Sequence, residues 1–200
     1  MENMHIAFSP PDITEEEIAE VVDTLRSGWI TTGPKTKLFE KQLAEYIGTN
    51  RVVCLNSATA CQEMTLRLLG IGSGDEVITT AYTYTASASV VEHVGAKLVL
   101  VDVAKDSYEM DYEKLADAIT EKTKAVMIAH TLGNPFDLQK VKEFCDRHNL
   151  WLVEDNCDAL GSRYELNGEW HFTGTIGDIG TSSFYPPHHM TMGEGGAVYT

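Results

Sequence analysis

Basic side chains are scarce in this sequence: 15 Lys and Arg stand against 30 Asp and Glu over 200 residues, a formal charge of −15. Nucleic-acid backbones and anionic membranes demand clustered Lys and Arg, so neither is expected as a principal partner. An anionic small ligand is still admissible, because a single helix N-terminus can hold one locally. Cysteine is sparse as well. Cys54, Cys61, Cys145 and Cys157 show no CxxC spacing and read as small packed side chains in a reducing compartment, not as a disulfide framework. Met1 to Pro11 lacks a basic flank followed by an apolar run, and no apolar stretch approaches the length of a membrane span. These absences set the expectation of a cytoplasmic protein with no secretory leader and no membrane anchor.

What is present is enough for one sizeable core and one domain with a short arm. Asp12 or Thr14 can cap a helix over 15–26, with acids in its first turn, Gly28 past its end, and Ile18, Val21, Val22 and Leu25 on one face. Leu38, Leu43 and Ile47 mark a second helix that stops at Gly48. Residues 1–48 thus read as an N-terminal helical arm and 49–200 as the main α/β domain. There, apolar runs at 51–55, 76–79, 97–103, 124–129 and 150–154 alternate with helical patterns near 58–69, 85–94, 111–120 and 137–148. Repeated strand-helix-strand units imply a mainly parallel sheet with helices on both faces, and ligands gather at the carboxyl ends of its strands. The polar, glycine-rich interval 162–177 reads as an exposed loop or hairpin.

Four stretches fall just past a strand, where chemistry is expected. Asn56-Ser-Ala-Thr59 opens a helix and can receive a phosphate, although an ordinary helix cap would look the same. Tyr84, with Tyr82 as its competitor, is an aromatic after a strand that core packing alone could explain. Val153-Glu-Asp-Asn-Cys-Asp-Ala-Leu-Gly161 ends a buried strand in acids. Burying such an acid is costly unless it meets a cation, the alternative being that Glu154 and Asp155 cap a following helix. Cys157, between Asp155 and Asp158, reads by itself as a packed thiol. Finally, Ser182-Ser-Phe-Tyr-Pro-Pro-His-His-Met-Thr-Met-Gly-Glu-Gly-Gly196 is a proline-stiffened turn. Its His188, His189 and Glu194 could in principle bind a metal, but the glycine-rich turn and the lack of a third ligand at fixed spacing suit that poorly.

Taken together these motifs resemble the DegT/DnrJ/EryC1/StrS sugar-nucleotide aminotransferase superfamily of fold-type I pyridoxal phosphate enzymes. Members carry Ser-Phe, three residues, a Schiff-base lysine and then Gly-Glu-Gly-Gly; here the lysine position is His188. That substitution, and Asp158 where aminotransferases usually have a Gln facing the cofactor ring hydroxyl, are similar to the nucleotide-linked 4-keto-6-deoxyhexose 3-dehydrases. The likeness to the dehydrases is specific from about Ala129 to Tyr199, whereas Phe8 to about Lys124 is more like the general sugar aminotransferases.

The resemblance implies a three-layer α/β/α large domain with a seven-stranded-type sheet, and a smaller C-terminal domain absent from these residues. It further implies that Ala58, Thr59 and Ser183 hold the cofactor phosphate, Tyr84 stacks on the pyridine, and Asp155 pairs with its nitrogen. Histidine moves protons near neutral pH but forms no stable imine, and no lysine follows Lys142. The implied cofactor is therefore noncovalent pyridoxamine 5'-phosphate in place of lysine-bound pyridoxal 5'-phosphate, with His188 as the catalytic base. In the similar dehydrases the cysteine matching Cys157 ligates a two-iron, two-sulfur cluster, whose other cysteine ligands lie past the Gly-Glu-Gly-Gly turn. The implied substrate is a nucleotide sugar, the implied assembly a homodimer, and the implied electron donor a separate reductase. Two rivals stand beside this reading: an aminotransferase forming amino sugars, and an inactive homologue that regulates or binds a partner.

Overall fold

The computed structural model describes residues 9–200; the leader reading of Met1 to Phe8 lies outside them. Helix α1, Glu15–Ser27, starts on a capping box between Thr14 and Glu17 and stops at Gly28, whose φ of 75° suits glycine. Its apolar stripe of Ile18, Val21 and Leu25 is exposed. Helix α2, Pro34–Ile47, buries Leu43 and Ile47 against Val52, Phe184, Ala197 and Tyr199.

Seven strands form one sheet: β1 Val52–Leu55, β2 Glu76–Thr80, β3 Lys97–Val101, β4 Thr123–Ala129, β5 Trp151–Asp155, β8 Ile179–Ser183 and β9 Gly196–Tyr199. Their order is β1-β9-β8-β5-β4-β2-β3, and only β9 runs against its neighbours β1 and β8. Strands β6 Arg163–Leu166 and β7 Glu169–Phe172 form a separate antiparallel hairpin inside the 162–177 interval. The expected extension of β3 to residue 103 does not form. After Val101 the chain turns, with Val103 N–H donating to Asp102 Oδ1 at 2.9 Å.

Helices cover both faces. Leu66 of α3 (Ala58–Leu68) and Val90 and Val91 of α4 (Thr85–His93) pack on Val77, Ala125, Met127 and Val153. On the other face Leu115 of α5 (Tyr112–Ala118) and Leu138, Val141 and Cys145 of α6 (Leu138–His148) pack on Ile78, Val126, Ile128 and Leu152. Each such fully buried aliphatic side chain contributes about 1.5–3 kcal/mol. Because side chains alternate along a strand, Asp155 continues the α3/α4 face and Glu154 the opposite one.

Candidate cofactor site

Strand β1 runs into Ser57, which holds an extended backbone and caps α3 by accepting from Ala60 N at 3.1 Å. The amides of Ala58 and Thr59 then belong to the first helical turn, where N–H groups have no partner within the helix. A row of residues brings the far side close: Ser183 of β8 pairs with Gly196 of β9, which pairs with Leu55 of β1. Only glycine fits at 196, since a Cβ there would lie 2.3 Å from the Ser57 carbonyl carbon and 2.4 Å from Ala58 N. Ser183 Oγ accepts from Tyr185 N at 3.2 Å, which leaves its hydroxyl hydrogen free to donate.

Asp155 ends β5 with 5% exposure. Ser87 Oγ donates to its Oδ2 at 2.8 Å and Cys157 N–H to its Oδ1 at 3.2 Å. An ionised carboxylate has about four acceptor sites, so these bonds leave it capacity for a further donor. Among the described residues no Lys, Arg or His makes an ion pair with it. On the same sheet face the hydroxyls of Thr79 and Thr181 are buried without a partner. No helix follows β5; the chain turns, Ala159 N–H donating to Asn156 O at 3.1 Å, so the helix-cap alternative for Glu154 and Asp155 is not what the backbone does. The two candidate tyrosines differ. Tyr82 stacks on Tyr108 with centroids 5.4 Å apart, whereas Tyr84, preceding the α4 turn that carries Ser87, is 80% exposed.

The third part is the loop from Phe184 to Gly195. Phe184 is buried edge-on against Phe39 at 5.1 Å, its N–H donates to Gly195 O, and its carbonyl accepts from Met192 N and Thr191 Oγ1. Within this frame His188 Nδ1 lies 3.2 Å from Asp158 Oδ1. The resemblance sets Asp158 opposite a cofactor hydroxyl; the structure places it against His188. The His188 hydrogen bond holds the Asp158 carboxyl below the usual aspartate value, and the Leu132 backbone N–H acts in the same direction.

Cys157 is half-buried, and burial followed by the neighbouring Asp155 charge pushes its thiol well above the ordinary cysteine value. Metal ligation requires thiolate, and no group of three or more His, Cys, Asp or Glu able to hold a metal occurs among the described residues. Cys157 is the one cluster ligand that the resemblance places among these residues.

His130 and Ser87 escaped the sequence reading, and Glu154 entered it only as a possible helix cap. Glu154 is fully buried on the α5/α6 face: its Oε1 accepts from Ile176 N and Gly177 N, and its Oε2 from Gly174 N and from His130 Nε2 at 2.8 Å. His130 in turn stacks flat on Phe136 at 4.5 Å. The available signal was the adjacency of Glu154 and Asp155 on one strand, which forces them to opposite faces and leaves Glu154 needing donors of its own. Ser87 gave no signal.

A mostly parallel seven-stranded sheet covered by helices on both faces is the fold of the fold-type I pyridoxal phosphate enzymes. Within that class the chain belongs to the DegT/DnrJ/EryC1/StrS aminotransferase family, whose model matches residues 11–200. It is 44% identical over 196 residues to the lipopolysaccharide biosynthesis protein RfbH of Salmonella typhimurium, covering 94% of this chain and 44% of RfbH. It is 46% identical, with a TM-score of 0.91, to the proposed sugar aminotransferase Spr1654 of Streptococcus pneumoniae in its PLP form, covering 98% of this chain and 53% of that one. It is 26% identical, with a TM-score of 0.90, to the E. coli GDP-4-keto-6-deoxy-D-mannose-3-dehydratase with bound hydrated PLP, covering 98% and 51%. The chain thus spans about half the length of these relatives.

The residues present fit a pyridine cofactor. A buried carboxylate without a cation stands at the sheet's carboxyl edge, and a helix N-terminus lies across Gly196 from Ser183.

Proposed function

We propose that the protein removes the C3 hydroxyl of a nucleotide-linked 4-keto-6-deoxyhexose, using pyridoxamine 5'-phosphate held without a covalent bond. The observation that carries this reading is His188 at the lysine position of the family's Ser-Phe-x-x-x-Lys motif, with its ring against Asp158 and no lysine between residues 143 and 200. Histidine transfers protons near pH 7 but cannot hold an aldehyde cofactor as a stable imine. Bound there, the cofactor supplies a primary amine to condense with the C4 ketone and an electron sink that lets the C3 hydroxyl depart.

The chain's own residues divide the remaining work. The Ala58 and Thr59 amides, with the Ser183 hydroxyl, hold the phosphate; the positive end of α3 favours that anion. Asp155 faces the ring nitrogen and keeps it protonated, because a buried carboxylate is stabilised by a cation beside it. Tyr84 covers the ring face, with Tyr82 kept in its stack on Tyr108. His188 accepts a proton from the carbon next to the cofactor amine. We place the reaction in cytoplasmic deoxysugar and lipopolysaccharide biosynthesis, in a homodimer. The similarity to RfbH supports the pathway. A following reduction would call for a separate electron donor, a reductase.

The similarity to Spr1654 supports a second reading, transfer of an amino group to the same class of sugar. Mass spectrometry decides between them. The whole protein is incubated with pyridoxamine phosphate and a nucleotide-linked 4-keto-6-deoxyhexose. Replacement of the 3-hydroxyl by hydrogen, a net loss of one oxygen from the released sugar, with the cofactor nitrogen freed as ammonia and its carbon left as the aldehyde, is the expected result; retention of the 3-hydroxyl with a new amine at C4 would establish the aminotransferase instead.

A further inference from the structure

We infer that Asp158 is a positioning residue for His188: it fixes the ring in the Nδ1–H tautomer, so that proton transfer runs through Nε2. The inference deepens the proposed dehydratase reading and rests on it for its purpose, though not for its test. Its basis is the contact between Asp158 Oδ1 and His188 Nδ1 at 3.2 Å. A carboxylate oxygen 3.2 Å from Nδ1 repels a lone pair there, which favours the neutral imidazole with its hydrogen on Nδ1 and its lone pair on Nε2. A neighbouring hydrogen bond sets which ring nitrogen is basic, and a base in the wrong tautomer cannot accept the proton.

Both partners are fixed from outside the pair. Asp158 sits in the turn after β5 and also takes the backbone N–H of Leu132, a residue held at φ 56° just past β4. A Cβ on the next residue, Gly133, would stand 2.8 Å from Asp158 O, so the two turns are in close contact. His188 N–H donates to Tyr185 O at 3.1 Å, and its side chain is 18% exposed against 47% for Asp158. The charged end of the pair therefore faces water more than the ring does.

The same geometry suits histidine better than lysine. A carboxylate beside position 188 favours a charged partner there, whereas an imine forms from a neutral amine. Asp158 and His188 are in this sense a matched pair.

The test reads the ring directly, with no cofactor or substrate present. Isotope-labelled histidine ring nitrogens are observed by NMR above the pH at which His188 becomes neutral, and its signals are assigned by their disappearance in His188→Asn. The wild type is expected to carry its hydrogen on Nδ1. Asp158→Asn and Asp158→Ala are expected to move it predominantly to Nε2, and Asp158→Glu to restore it. Two substitutions of different size guard against the misfolding of one. An Nε2–H tautomer in the wild type, or an unchanged tautomer in both Asp158→Asn and Asp158→Ala, overturns the inference. A failed dehydration assay with an Nδ1–H ring would instead count against the proposed reaction and leave the positioning role standing.

Discussion

Ser87 Oγ donates to Asp155 Oδ2 at 2.8 Å, joining the first turn of α4 to the carboxyl end of β5 on the face where the cofactor ring is proposed to lie. Both side chains are buried, Ser87 fully and Asp155 to 5% exposure. The hydroxyl fixes one oxygen of the carboxylate while leaving acceptor capacity for a cation.

Replacing Asp155 by Asn should remove a charge-assisted contact of about 1.5–3 kcal/mol, a loss of about 10- to 100-fold in affinity. Ser87→Ala, which leaves the charge in place, should lose about tenfold or less. Titration of each variant with pyridoxamine phosphate measures this. Wild-type affinity in Asp155→Asn would remove Asp155 from the site.

Gly196→Ala should act at the phosphate end. Its Cβ would meet the Ser57–Ala58 peptide at 2.3–2.4 Å, so the α3 N-terminus must shift. Overpacking of this kind costs about 1–3 kcal/mol in stability. Pyridoxamine phosphate affinity should fall by more than that of unphosphorylated pyridoxamine. Equal loss for the two ligands would mean that the peptide does not contact phosphate.

Glu154 supports the site from behind. It accepts from three backbone N–H groups and His130 in a fully buried setting. Glu154→Gln turns part of the acceptor into a donor, and each buried donor left without a partner costs about 1–3 kcal/mol. Urea unfolding should register that loss; an unchanged unfolding free energy would show that the cluster contributes nothing net.

The sheet was legible because its buried strands carry continuous apolar runs between turn signals: expected strands at 76–79 and 124–129 correspond to Glu76–Thr80 and Thr123–Ala129. The 162–177 interval carries its hairpin at Arg163–Leu166 and Glu169–Phe172. The strand order was not legible from residue pattern alone, since nothing local in Gly196-Ala-Val-Tyr199 says that β9 inserts antiparallel between β1 and β8. At the site, motif residues could be named because strand ends are marked by sudden polarity, as at Asp155. Their partners could not. Ser87 lies 68 positions from Asp155, and Asp158 lies 30 from His188, separations that only the fold closes.

Acid sensitivity should arise partly at the amino edge of the sheet, the edge opposite the proposed cofactor site. Lys97 Nζ at 2.8 Å, followed by the Thr120 hydroxyl at 2.6 Å, holds the Glu76 carboxyl below the ordinary value of 4.5. A carboxyl with a depressed folded-state pKa contributes stability that is present above its unfolded value and lost as pH falls through the folded one. The Glu76 contribution should therefore be complete above pH 4.5 and fade below it. Thermal melts of Glu76→Gln should show a shallower decline over that acidic range than the wild type; parallel declines would assign the sensitivity to other carboxyls.

If His188 makes cofactor binding noncovalent, as proposed, a titration with borohydride trapping will show it. The whole protein is titrated with pyridoxamine phosphate and with pyridoxal phosphate, each followed by borohydride and mass analysis. A His188→Lys, Asp158→Gln double variant serves as the comparison. The wild type is expected to bind pyridoxamine phosphate with no trapped adduct, and the double variant to trap pyridoxal phosphate on the new lysine. A stoichiometric adduct on a native lysine of the wild type would contradict it.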